Sequence, residues 1–476
     1  MTTKRISARD VIDAITDKGS VTSWDKPIDI SNYEPEYRNE LEKARERSGC
    51  DESILTGEGT LNGKPVAFIV NEFSFLAGSI GRDATNRIVA AIERATAEGL
   101  PLFASTSSGG TRMQEGTPAF VGMVDISRAI MKHRKSGLPY FVHLRHPTTG
   151  GVFASWGSLG HVTVAEPAAL TGFLGPKVYE LLNGEPFPAG VQVSENLVSN
   201  GLIDATITFE QLPQVLDNFL TLLSDERGDA PLSRRGPIKD LEQDVWASIT
   251  HTRVGKRAGV RDVLNEGSDI TIELHGNQEG ERDDTVLLAL ARIDGVPCVV
   301  VGQDRDAQSN KTPMGPSGLR QARRGMRLAQ ELDLPFVSFI DTPGAELSKK
   351  AEESGMAGEI ARCLANMSTL TVPTISVLLG QGTGGGALAL FPAKVTIAAQ
   401  HSWMSPLPPE GASAIMFGNI DSAPDLAKRQ KVSAIDLHNE GIVHHLVAEF
   451  ENDTPADLAR AVAAEVGHWL HESTRQ

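Results

Sequence analysis

Cysteine is scarce in this chain, with three residues in 476, at Cys50, Cys298 and Cys363. Thiols so few and so scattered build neither a disulfide framework nor a Cys-rich zinc site. The first 49 residues contain neither Cys nor His, so a four-ligand zinc ribbon cannot assemble there, and no metal is expected in the chain. The twelve histidines show no metal-ligand spacing, and pairs such as His143/His146 and His444/His445 read as core or surface residues. Positive charge is also short. Against 61 Asp and Glu stand 45 Lys and Arg, and the resulting net charge of -16 gives no general attraction for nucleic acid or anionic membrane. No apolar run approaches the ~20 residues that span a bilayer. No apolar segment follows Met1–Ile6 as a secretory signal requires. The chain reads as cytoplasmic. Three catalytic signatures are missing as well: G-x-S-x-G, G-x-x-x-x-G-K-[ST] and H-E-x-x-H.

Glycine, by contrast, is plentiful: 46 residues point to tight turns and to backbone packed close to ligands. The length exceeds one core and implies two or three domains. Self-similarity supplies the division. An apolar run from Leu100-Pro101 that breaks into Ser108-Gly-Gly110 is matched by Leu334-Pro335 running into Asp341-Thr-Pro-Gly344. Pro101 and Pro335 are 234 positions apart, as are Pro139 and Pro373, Gly150 and Gly384, and Gly81 and Gly315. Near the two ends Gly201 and Gly441 correspond at 240, so a small insertion intervenes. One offset over several landmarks marks a tandem duplication.

Each half carries a helix (Ile88, Val89, Ile92 and Ala95 on one face; Leu319, Ala322, Met326 and Ala329 in the second half), then a strand, a helix and a strand ending in glycines. That alternation predicts an α/β fold with right-handed crossovers. The polar, Gly/Pro-rich stretch near Asp225–Pro237 predicts a linker over 225–240, between an N-terminal domain of 1–224 and a C-terminal domain of 241–476. Residues Ser7 to Glu46 suit helices lying on the first domain.

Where a strand enters a helix through Gly-Gly, the first helical N–H groups have no backbone partner and the helix end adds positive potential. Gly150-Gly151 and Gly385-Gly386-Ala387 therefore suit an oxygen that gains negative charge during reaction, an oxyanion hole. The same glycines also permit close helix–strand packing, and spacing alone does not choose. Gly380-Gln-Gly-Thr-Gly-Gly385 formally fits G-x-G-x-x-G, yet no carboxylate follows about 20 positions on, at Ala399–Trp403, as dinucleotide binding requires. Arg320, Arg323, Arg324 and Arg327 share one helix face, either as a solvated basic face or as a contact for a phosphate-bearing or acidic partner. Arg112 and Glu115 either brace the Gly109-Gly110 turn or serve as an acid and a base.

Long motifs in the first half resemble the beta subunit of bacterial acetyl-CoA carboxylase carboxyltransferase. They are Leu55–Gly63, Glu72–Gly81, Ser108–Glu115, Pro147–Ser155, Ala165–Pro167 and Gly172–Pro176. The second half is similar to the alpha subunit, through Phe339–Ala345, Gly384–Leu390 and Pro409–Ile415. The resemblance implies a fused beta–alpha carboxyltransferase with two tandem crotonase-like domains of the ClpP/crotonase superfamily. It implies transfer of a carboxyl group from carboxybiotin, on a biotin carrier protein, to acetyl-CoA or another short acyl-CoA, giving malonyl-CoA or a homologue for fatty acid biosynthesis. By resemblance, Gly150-Gly151 with the backbone of Gly109-Gly110 holds the acyl thioester oxygen, and Gly386-Ala387 of the second turn the biotin ureido oxygen. Arg112 and Ala389 are expected at the substrate, and Ala389, where propionyl-CoA-type relatives tend to carry Asp, favours acetyl-CoA. The implied partners are a biotin carboxylase or biotin carboxyl carrier subunit and a second copy of the chain, with the site shared across a dimer interface. A malonyl-thioester or glutaconyl-CoA decarboxylase and a non-catalytic scaffold subunit are the competing readings.

Overall fold

The computed structural model describes residues 5–224, 232–238, 243–253, 256–309 and 311–474. The chain divides into two compact units, Met1–Thr221 and Leu222–Gln476. In the first, the sheet runs through Thr22–Ser23, Ile54–Leu61, Lys64–Asn71, Leu102–Ser108, Tyr140–Thr149, Val162–Ala165 and Ala205–Thr206. The short strand Thr171–Gly172 pairs with the end of Tyr140–Thr149. The first three strands are antiparallel and the others parallel.

The second unit repeats this arrangement strand for strand. Its sheet runs Ser268–Leu274, Val286–Ile293, Val296–Gln303, Phe336–Thr342, Thr374–Thr383, Val395–Ala399 and His445–Val447, with Trp403–Ser405 on the end of Thr374–Thr383. The duplication reaches the hydrogen-bond register. Leu102 pairs with Tyr140 and Phe336 with Thr374, and the ladder slips between Thr106 and Ser108 in one unit and between Ile340 and Thr342 in the other. Each of these residues lies 234 positions from its counterpart. An irregularity kept in register shows that the repeat preserves the strand ends, where the glycine turns begin.

Both central strands, Leu102–Ser108 and Phe336–Thr342, are buried along their whole length, as parallel strands covered on both faces must be. Helices Arg82–Glu98 and Pro316–Leu332 supply one cover, through Ile88, Ile92 and Ala95 in the first and Leu319, Ala322, Met326 and Ala329 in the second. Each fully buried Ile, Leu or Met contributes about 1.5–3 kcal/mol. Gly325 sets how closely the second helix lies: a Cβ there would meet Val301 Cγ2 at 2.5 Å and Leu288 Cδ1 at 2.8 Å. The N-terminal stretch forms helices Ala8–Ile15 and Pro35–Ser48.

Residues 225–231, 239 and 240 of the expected linker lie outside the described residues, but 232–238 are tethered to the second unit. Arg234 pairs with Glu465 at 2.7 Å, Arg235 with Asp453 at 2.5 Å, and Leu232 N–H donates to Asp294. The arginine row on Pro316–Leu332 is consumed internally. Arg320 pairs with Glu281 and Glu359, Arg323 with Glu359 and Arg327 with Glu279, while buried Arg324 donates to the carbonyls of His275 and Gly276. The acidic residues that absorb the row come from neighbouring elements, which helix periodicity does not reveal. Among the described residues, no helix is long and apolar enough to cross a membrane, and no three His, Cys, Asp or Glu stand together to hold a metal ion.

Candidate active site

The first turn forms where Tyr140–Thr149 passes into the short helix Gly150–Phe153. Gly150 takes a left-handed φ of 62°, and its counterpart Gly384, at the start of helix Gly384–Leu388, takes 69°. The neighbouring strands end in Ser108 and Thr342, and the chain then turns through a second positive-φ pair, Gly110 and Gly344. Left-handed backbone disfavours a Cβ, so glycine is needed at these points. The two loops of the first unit touch: a Cβ on Gly150 would lie 3.4 Å from Gly110 Cα.

Not every nominated amide is free to bind. Gly109 N–H donates to Ala77 O at 2.9 Å, Gly110 N–H to Ser108 Oγ at 3.0 Å and Gly150 N–H to Phe173 O at 3.1 Å. Those three are occupied because the turn itself needs them. Gly151 and Val152, on the first turn of the helix, donate to no described residue. The opposite loop brings Thr111 alongside, its Oγ1 3.2 Å from where a Gly151 Cβ would stand. In the second unit the unengaged first-turn amides are Gly385 and Gly386. Ala345, the counterpart of Thr111, places its N 3.5 Å from an ideal Gly386 Cβ.

Arg112 is buried among protein groups. Its side chain is 1% exposed and every donor is spent: Nη1 on Glu52 at 2.8 Å and Tyr37, Nη2 on Glu52, Ser53 and the Ser79 carbonyl, Nε on Ser79 Oγ. Burial opposes its charge, but the Glu52 carboxylate beside it wins and holds the guanidinium above its ordinary pKa. Glu115 accepts from Tyr37 OH at 2.6 Å and from Arg82 N–H at 2.6 Å. The pair braces the loop that carries Gly109 and Gly110. Ala389 is likewise buried, its N–H donating to Gly385 O at 2.9 Å, and the side chain its helix presents outward is Leu388. An α-helix turns through about 100° per residue, so the neighbour of a buried position can face out.

Sequence reasoning missed the residues that hold the turns from behind. Ser155 Oγ donates to Gly151 O at 2.5 Å. Fully buried Gln303 donates to Gly386 O at 2.8 Å and accepts from Asp341 N–H at 3.2 Å. Asp341 is buried too, and desolvation raises its pKa although Arg305 pulls the other way. Its carboxylate accepts from Gln381 N–H at 2.9 Å and fills the space beside Gly380, where a Cβ would lie 2.4 Å away. The first glycine of the G-x-G-x-x-G pattern is therefore a packing requirement. Ser155 and Asp341 lie within the segments Pro147–Ser155 and Phe339–Ala345, where nothing singles them out, and Gln303 lies in no motif.

A carboxyl transferase domain model matches residues 8–464. Over 469 residues the chain is 51% identical to the "probable biotin-dependent acyl-coenzyme A carboxylase beta3 subunit" of Mycobacterium tuberculosis, covering 97% of this chain and 94% of that one. It is 32% identical over 468 residues to the acetyl-coenzyme A carboxylase carboxyl transferase subunits beta/alpha of Clostridium tetani, covering 95% and 81%. The fold matches transcarboxylase 12S, solved as a hexamer with methylmalonyl-coenzyme A bound, with a TM-score of 0.77 at 20% identity over 99% of this chain and 90% of that one. The chain belongs to the carboxyl transferase family, as the carboxyltransferase component of a biotin-dependent acyl-CoA carboxylase, and its two units are α/β domains of one design.

Proposed function

We propose that this chain transfers a carboxyl group from carboxybiotin, carried on a partner protein, to acetyl-CoA or another short acyl-CoA, with one backbone oxyanion hole in each unit. The observation that carries this reading is the duplication of the turn itself, with first-turn amides left unengaged in both units. Carboxyl transfer of this kind develops negative charge on two oxygens, one on each reactant, and neutral preorganised N–H donors stabilise such charge best.

In the first unit, Gly151 N–H, joined by Val152 and the adjoining Thr111 backbone, holds the thioester oxygen as the α-carbon loses its proton. In the second, the Gly385-Gly386-Ala387 turn receives the ureido oxygen. The cradle fits that group: a Cβ on Gly386 would fall 2.6 Å from Met314 Cε and 3.2 Å from Ala345 Cβ, so only glycine keeps it open. Biotin, when its carrier docks, supplies the activated carboxyl group. Ala389 contributes to acyl selectivity through the packing of its helix, and Arg112 through its hold on the Gly110 loop.

The working unit is a homo-oligomer with the site completed by a second copy, and the partner is the subunit that carries biotin. On the segments that follow the central strands stand apolar side chains in solvent, Met113 at 84% and its counterpart Leu347 at 95% exposed, and Phe173, after the strand Thr171–Gly172, and Ile415, in the helix Pro409–Phe417, are exposed as well. Exposed apolar residues of this number mark a surface that is covered in the working state. The reading is tested by incubating the protein with malonyl-CoA and biocytin. Acetyl-CoA formation dependent on both is expected. Acetyl-CoA released equally without biocytin would favour the decarboxylase, and none at all would favour a scaffold.

A further inference from the structure

We infer that Gln303 is a positioning residue for the second glycine turn, fixing the Gly386–Ala387 peptide and with it the Gly385 and Gly386 amides offered to the ureido oxygen. The inference rests on the two-turn reading above and deepens it.

Gln303 is the last residue of the strand Val296–Gln303 and is 0% exposed. Its amide bridges two elements. Nε2 donates to Gly386 O at 2.8 Å and Oε1 accepts the Asp341 N–H at 3.2 Å. The helix of Gly386 is only five residues long. Ala389 N–H returns to Gly385 O and Leu390 N–H to Ala387 O, so the carbonyl between them, Gly386 O, depends on Gln303. That carbonyl belongs to the same peptide unit as the Ala387 N–H. A hydrogen bond accepted at the oxygen orients that peptide plane, and through the Gly386 backbone it fixes the direction of the unengaged Gly386 N–H. A buried carbonyl left without a donor would rotate to find one.

A second layer holds Gln303 in place. Gln308 Nε2 donates to Asp341 O at 3.1 Å, Thr342 Oγ1 donates to Gln308 Oε1 at 2.6 Å, and Gly344 N–H donates to Thr342 Oγ1 at 3.1 Å. One network thus ties the Gly386 turn to the facing loop at Gly344. The first unit does not use this device. Asn71, at the corresponding strand end and one methylene shorter, donates instead to Gly78 O and Ser53 O, and its turn is held by Ser155. The two turns are braced separately, so they can be weakened separately.

The test uses full-length protein with three variants: Gln303→Met, which keeps the volume and removes both hydrogen bonds, Gln303→Asn, which withdraws the amide by one methylene, and Gln321→Met. Gln321 is another buried glutamine of the same unit, which ties its helix to Val286 O away from the turn. Amide hydrogen exchange of the unliganded protein is expected to speed up at least tenfold in the peptide covering 380–390 for both Gln303 variants, and not for Gln321→Met. In the malonyl-CoA and biocytin assay kcat is expected to fall by about ten- to a hundredfold, less than the ~10²–10³ of losing a donor outright, with KM for malonyl-CoA unchanged. Gln321→Met is expected to lower the unfolding temperature with kcat retained. Unchanged exchange at the turn, kcat within threefold of wild type, or an equal kcat loss in Gln321→Met would overturn the inference. Should wild type show no biocytin-dependent turnover, the two-turn reading fails, and the exchange experiment still decides whether Gln303 holds the turn.

Discussion

At the residue scale, the proposed chemistry rests on a few amides whose neighbours leave them unspent. Gly151→Val pushes a side chain against Thr111 and Met123, and Gly386→Val pushes one into Met314 and Ala345. Each is expected to lower kcat by about 10²–10³, the usual effect of losing one oxyanion donor. Steady-state kinetics alongside circular dichroism checks this, since near-normal turnover in folded protein removes the assignment. Arg112 gives a different signature. Replacing it with Ala strands the Glu52 carboxylate in the interior, where a buried charge without its partner costs about 3–5 kcal/mol. Denaturant unfolding of Arg112→Ala should show that loss, and Arg112→Met combined with Glu52→Gln should recover much of it. A substrate contact would lose activity in both.

At the scale of an element, the strand Tyr140–Thr149 carries both the first turn and a buried histidine. His143 is 0% exposed, and burial pushes its pKa down to about 3. The folded state therefore keeps it neutral at a pH where the unfolded chain, at about 6.5, binds a proton. Because the unfolded state then holds more protons, stability is lost as pH falls below about 6.5, at about 1.4 kcal/mol per pH unit for this group. His133, pushed down to about 4 in the helix Gly116–Lys135, adds to the slope in the same direction. Unfolding midpoints measured at pH 7 and pH 5 should converge in His143→Asn relative to wild type. A wild-type stability that is flat over that range would contradict the buried neutral imidazole.

At the scale of the whole molecule, the proposed reading has a second copy cover the exposed apolar side chains. Light scattering is expected to give a mass of at least two chains. Met113→Asp and Leu347→Asp should each shift it towards one chain with activity lost together, since charge placed in an apolar contact is costly to desolvate. A fully active monomer would overturn the shared-site reading. Metal chemistry is separable in the same sample. With no Cys or His in the first 49 residues, no zinc ribbon can form there, so the biocytin assay should survive EDTA treatment and elemental analysis should find no stoichiometric zinc. About one zinc per chain, lost together with activity, would refute this.

Much of this architecture was legible in the order of residues. The 234-residue offset revealed two copies of one α/β unit because strands, caps and turns each need particular residues at particular spacings, and Gly150 and Gly384 are there because left-handed backbone excludes most side chains. The long motifs around them pointed to the carboxyl transferase family. What the tertiary structure decided is which amides remain unspent and which polar groups stand behind them. Gly109, Gly110 and Gly150 look like donors in sequence, but their N–H groups are taken by Ala77, Ser108 and Phe173. Arg112 looks like a free cation until Glu52, 60 residues away, is folded against it. Gln303 has no motif at all, because its role depends on a carbonyl 83 residues further along the chain. A spacing rule sees the backbone's local demands. Hydrogen-bond saturation is a property of neighbours brought together only by the fold.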